Sequence, residues 1–278
     1  MPESELTLFE YLLPVLSIIG SLFNAVTTCY LKAYTSGIGK IVLALSAFDI
    51  ILALGNFLCG VFSEEDETGP LLIFLFGWNG AIIWPCCLAH CLLLTLKRLD
   101  ETIPDQFFRR YLIISIISPA LWTAIGLTLT RIKNKLGEEA PFDLNIISYL
   151  IPPLLGSLFC FICYILVVKQ LKKMRAGNFW EMLLYPLILI LCNLPYSIIF
   201  CRELLQTEEE NQDQPWWSVM FDILFNLQGL LNAFAYGLSK RIRTGYKEQC
   251  SCKKRNADHK VPLLRKKIEV PKFVVEYR

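Results

Sequence analysis

The stretch Asn226-Leu227-Gln228-Gly229-Leu230-Leu231-Asn232-Ala233-Phe234-Ala235-Tyr236-Gly237 decides how the rest of the chain is read. It lies inside the last apolar run, Trp216 to Leu238, whose one charged residue is Asp222. A segment that needed only to span hydrocarbon would have no use for two asparagines, a glutamine and a tyrosine. Strongly polar groups at membrane depth are costly, and by default they face a bundle interior. The run stops at Ser239 and turns basic, with Lys240, Arg241, Arg243 and Lys247. It reads as a final membrane helix with a polar hinge inside it and a cationic exit at the cytoplasmic face.

Working outward, the same apolar character recurs along the chain. Hydrophobic residues make up 54% of the 278, and charged residues only 19%, below the quarter usual in soluble domains. The apolar residues cluster into seven runs, 11–31, 41–62, 71–96, 111–130, 145–168, 182–201 and 216–238. Each is long enough to cross a hydrocarbon core of ~30 Å as a helix. Together they hold two formal charges, Asp49 and Asp222. The expected fold is an all-α membrane protein, a seven-transmembrane helix bundle over 11–238. It is preceded by a short acidic tail (1–10) and followed by a juxtamembrane amphipathic segment (239–252) and a basic cytoplasmic tail (253–278).

Basic residues set the expected orientation. With the N-terminus outside and the C-terminus cytoplasmic, the inner segments carry 23 of the 27 Lys and Arg. The outer loops are acidic instead, as in Glu64-Glu65-Asp66-Glu67 and Glu208-Glu209-Glu210. The N-terminus lacks a basic region and a small-residue cleavage site, so the first helix is expected to act as its own insertion signal. None of the eleven cysteines falls in an outer loop, which leaves no material for an extracellular disulfide framework.

Several polar residues share a depth. Asp49 lies nine residues from the inner end of its run, about 13 Å at 1.5 Å per residue. Asn24 and Asn232 lie at about 10 Å, and His90 on the third run is similar. One carboxylate among amides suits a hydrated site for Na⁺ or a proton, a switchable hydrogen-bond network, or static glue between helices. No other metal site and no cofactor are expected. Cys192-Asn193-Leu194-Pro195-Tyr196 puts a proline inside the sixth run, where the missing N–H frees a carbonyl and favours a bend. Lys169, Lys172 and Lys173 share a helical face at the end of the fifth run. They suit an electrostatic dock for a cytosolic protein, or serve only to set topology, with affinity for anionic membrane lipid. Cys250 and Cys252 are juxtamembrane thiols and candidates for palmitoylation.

Seven spans with this punctuation resemble the G protein-coupled receptors. Asn24 and Asp49 look like the first- and second-helix polar positions of the rhodopsin-like branch. The 192–196 segment is similar to its C-W-x-P, with asparagine for tryptophan, and 232–236 to its N-P-x-x-Y, with alanine for proline. The wider 227–237 pattern looks closer to the cyclic AMP receptor-like branch. The chain departs from the rhodopsin-like pattern at Lys97-Arg98-Leu99, which is not acid-Arg-aromatic, and it has no lysine between 216 and 238 for a retinal Schiff base.

The resemblance implies a plasma-membrane receptor that passes binding of an extracellular, small ligand to a cytosolic heterotrimeric G protein. Ligand contacts are expected at Trp84, Tyr149, Tyr196 and Asp222. A polar switch network is expected through Asn24, Asp49, His90, Asn193, Pro195, Asn226, Asn232 and Tyr236. G protein contacts are expected near Arg98, Lys172, Lys173 and Arg241. Nucleic acid is not an expected partner. An enzyme is disfavoured: two histidines, His90 and His259, are too few for an iron hydroxylase. Asp49 and Asp222 also sit at opposite depths, which does not suit an aspartyl protease. A seven-helix, ion-coupled small-solute transporter is the alternative reading, since a buried carboxylate among amides can carry a coupling ion.

Overall fold

The computed structural model describes residues 3–62, 68–100, 102–136, 145–174, 180–205 and 216–238. Among them the secondary structure is helical throughout: α1 (Glu3–Tyr30), α2 (Gly37–Val61), α3 (Thr68–Arg98), α4 (Ile103–Leu136), α5 (Asn145–Met174), α6 (Trp180–Leu205), α7 (Trp216–Asn226) and α8 (Gln228–Leu238), with one 3-10 turn at Ala33–Thr35. Five of these helices are long and apolar enough to cross a membrane, and α7 with α8 makes a sixth span if the bent pair is counted as one. In α6 the apolar stretch among described residues is shorter, Leu187–Ile199.

The ends of the helices follow from local chemistry. Ser36 caps α2, its hydroxyl accepting from the Gly39 N–H at 3.3 Å. α3 stops where Leu99 takes a left-handed backbone, φ 53°, a common way to terminate a helix. Asp100 then accepts from the Thr102 N–H and hydroxyl at 2.8 and 2.7 Å, and Gln106 reaches back to Thr102 at 2.7 Å. These bonds hold the Asp100 carboxyl below its ordinary range. Beside this turn Lys40 of α2 pairs with Asp105 of α4 at 2.6 Å.

α3 stands inside a closed ring. It packs against α2, α4, α5 and α6, while around it α1 meets α2, α2 meets α4, α4 meets α5, α5 meets α6, and α6 meets α7 and α8, which return to α1. Burial agrees with that placement: 67% of the most apolar window of α3 is buried, against 22% for α4 and 28% for α5. Close approach of α2 and α3 depends on Gly77, where an added Cβ would fall 2.6 Å from the Leu52 Cα. The outward faces of α4 and α5 carry Ile113, Ile116, Ile117, Leu121, Leu155, Leu158, Phe161 and Ile162, all exposed. In water so large an apolar surface would drive association. Against lipid it is the expected exterior, and the protein reads as membrane-embedded.

Candidate functional site

The last apolar run does not form one straight helix. α7 and α8 meet at Leu227 with a bend of 60°. Helical bonds survive on either side, Leu227 N–H to Ile223 C=O at 3.0 Å and Leu231 N–H to Leu227 C=O at 2.9 Å. The Gly229 N–H, near the start of α8, donates instead to the Ser17 hydroxyl of α1 at 2.9 Å. Only glycine fits there, because a Cβ on Gly229 would lie 2.6 Å from the Ser17 hydroxyl and 2.7 Å from its carbonyl oxygen. The break thus has both a substitute acceptor for a freed backbone donor and the space for it, which is how irregular backbone is tolerated at membrane depth.

From this break a chain of buried polar side chains runs across the bundle. Trp78 Nε1–H of α3 donates to Asn193 Oδ1 of α6 at 2.8 Å. Asn193 Nδ2 donates to Gln228 Oε1 of α8 at 2.7 Å. Gln228 Nε2 donates to Asp49 Oδ1 of α2 at 3.2 Å, and Asn232 Nδ2 donates to Asp49 Oδ2 at 2.7 Å. Side-chain amides can usually be turned either way. Here the two ends remove the choice. Indole N–H is donor only, so it demands the oxygen of Asn193; that presents the Asn193 NH₂ to Gln228, whose own NH₂ is left for the carboxylate. Every dipole in the chain points at Asp49.

A second, shorter chain lies on the other side of the break. Asn56 of α2 donates to Asn226 Oδ1 at the end of α7. Asn226 Nδ2 in turn donates to the Asp222 carbonyl and carboxylate at 3.0 and 3.1 Å. The two acidic side chains of the apolar runs are therefore each bonded by amides that flank Leu227.

Aromatic rings close over the Trp78 end. Tyr196 of α6 stacks on Phe225 of α7 with centroids 3.9 Å apart and planes 5° from parallel. Trp78 meets both edge-on, at 5.8 and 5.6 Å, and Phe74 adds a fourth ring at 5.5 Å from Trp78. Such pairs add roughly 0.5–1.5 kcal/mol each beyond simple burial.

The other expected site residues are placed as follows. Of the four polar groups at one depth, Asp49 and Asn232 are joined. His90 bonds Tyr111 of α4 at 2.9 Å, on another side of α3, and Asn24 is buried with its Oδ1 lacking a partner. Tyr236 accepts from Thr28 of α1 at 2.9 Å. Pro195 lies within α6 between Asn193 and Tyr196. Trp84 is enclosed between Phe48 and Phe108, apart from Tyr196 and Asp222. Arg98 is exposed at the end of α3. Tyr149, Lys172 and Lys173 fall in α5, but their side chains lie outside the described residues, as do Arg241, Cys250, Cys252 and the segments 239–252 and 253–278.

Sequence reasoning left Trp78, Gln228 and Asn56 out of the network. Gln228 was within reach, since it precedes Asn232 by one helical turn and so shares its face. Trp78 gave a subtler sign: a buried indole N–H needs an acceptor. A search against protein-family models finds no match, and no curated protein matches the chain.

Proposed function

We propose that the chain is a seven-span receptor of the plasma membrane, N-terminus outside and C-terminus cytoplasmic, that passes binding of a small extracellular ligand to a heterotrimeric G protein. The observation that carries this reading is the directed chain from Trp78 through Asn193 and Gln228 to Asp49. It links α2, α3, α6 and α8, and its far end is held by the Tyr196–Phe225 stack. A ligand that separates those two rings releases Trp78, frees Asn193 to turn, and so changes what Asp49 accepts on α8. Ligand binding then favours one of two bundle packings, a shift of population between pre-existing states. Asp222 lies one turn from Phe225 and contributes to the same outer region. The bend at Leu227 is where α8 moves relative to α7. At the inner end Arg98, Lys172, Lys173 and Arg241 form the contact with the G protein.

One observation favours a second reading. A span broken next to a buried carboxylate is a feature of ion-coupled transporters, whose discontinuous helices line the ion path. Basal nucleotide exchange on a panel of Gα subunits, with the protein in lipid nanodiscs, separates the two. The receptor reading predicts exchange above empty discs that Arg98→Ala abolishes and Asp49→Asn alters. Solute uptake into sealed vesicles that Asp49→Asn abolishes, with no exchange on any subunit, would replace it with the transporter.

A further inference from the structure

A lateral groove of about 370 Å³ opens between α3, α4 and α5, lined chiefly by Cys86, His90, Phe107, Arg110, Tyr111 and Phe159. That size lies within the usual range for small-molecule sites. It is separate from the Asp49 chain and faces outward through the helices with the most exposed apolar surface. Its polar groups lie toward the α3–α4 turn. Arg110 is exposed about 10 Å along α4 from its first residue, with its guanidinium 5.4 Å from the centre of the Phe107 ring. His90 and Tyr111 bond each other at 2.9 Å within the lining. The rest of the lining is hydrocarbon, aromatic ring and thiol.

We infer that this groove binds one anionic phospholipid of the adjoining leaflet, its phosphate on Arg110 and an acyl chain laid along Ile114 and Phe159, deeper in the groove. The argument is charge complementarity joined to depth. The cation sits where a headgroup lies when its chain enters the groove, and basic residues between membrane helices recognise acidic lipid heads. Phe107 braces the guanidinium from one side, which reduces the side-chain freedom lost on binding. Arg109 is a built-in control: one position earlier on α4, it is also exposed but does not line the groove.

Nanodiscs made from phosphatidylcholine mixed with phosphatidylglycerol, followed by native mass spectrometry of the released protein, read the retained lipid directly. The wild-type chain is expected to keep one phosphatidylglycerol in preference to phosphatidylcholine. Arg110→Gln is expected to lower that preference about fivefold, the ratio one basic residue supplies near an anionic surface. Arg109→Gln is expected to leave it unchanged, and Ile114→Trp to reduce retention of both lipids by filling the groove. Thermal unfolding of each variant at the wild-type temperature confirms that the fold is intact. No preference in the wild type, or equal losses for Arg109→Gln and Arg110→Gln, would overturn the proposal and leave only diffuse attraction of lipid to the basic face.

Discussion

α3 and α4 are both long, apolar and proline-containing, yet they do opposite work. α3 is the buried axis of the bundle and carries Trp78 into the polar chain; α4 turns Ile113, Ile116, Ile117 and Leu121 outward. The difference is not hydrophobicity, since their apolar windows have mean hydropathies of 1.9 and 2.0. It is where the hydrogen-bonding atoms sit. Inside a bilayer, burial of hydrocarbon no longer separates interior from exterior, because lipid is as apolar as leucine. Polar atoms and close backbone contacts make that distinction instead.

The comparison breaks first at Asp49. Asp49→Leu leaves the inward amide donors of Gln228 and Asn232 without acceptors, and about 2–4 kcal/mol of stability should be lost. Unfolding followed with a thiol-reactive dye suits this chain, because Cys87, Cys91, Cys160, Cys163 and Cys192 are buried free thiols. Gly229→Val should follow at about 1–3 kcal/mol by forcing α1 and α8 apart, while Gly237→Val should be milder, since no atom lies within 4 Å of its added Cβ. Trp78→Phe keeps the rings but strands the Asn193 oxygen, for a loss of about 1 kcal/mol in the same assay. On the exterior, Ile117→Ala should change stability by less than about 0.5 kcal/mol. A loss there as large as at Trp78 would mean that α4 covers a partner rather than lipid.

The smallest expected effect is one of pH at the α3–α4 turn. The Thr102 hydroxyl and N–H depress the Asp100 carboxyl from its ordinary 3.8. A depressed acid contributes fully above that value and loses its contribution as pH falls through the lower folded value. Protection of the Thr102 amide, measured against its intrinsic exchange rate at each pH, should therefore fall only in that acidic window, and Asp100→Asn should remove that step.

Much of this contrast was legible in the residues. The apolar runs marked where the helices lie, and Asp49 with Asn232 stood out because charge and amide are rare at such depth. Depth alone misled at His90. It lies twelve residues from Trp78, roughly 120° further round α3, so it faces α4 rather than Asp49. Distance along a helix gives level; only the neighbours give direction. The polar hinge expected within 226–237 takes the form of a 60° bend at Leu227. No proline marks that position; the signals were Gly229 and the serines of α1 packed against it, and a pairing between helices so far apart in sequence leaves no local trace.

The claim that one directed chain organises the interior rests on Asn193 transmitting between Trp78 and Gln228, since it bonds both. A double-mutant cycle of Trp78→Phe and Gln228→Leu, read as thermal stability in lipid nanodiscs, tests this directly. The account predicts a coupling above about 0.5 kcal/mol that vanishes in an Asn193→Leu background. Additive losses in the native background, within about 0.3 kcal/mol, would contradict it.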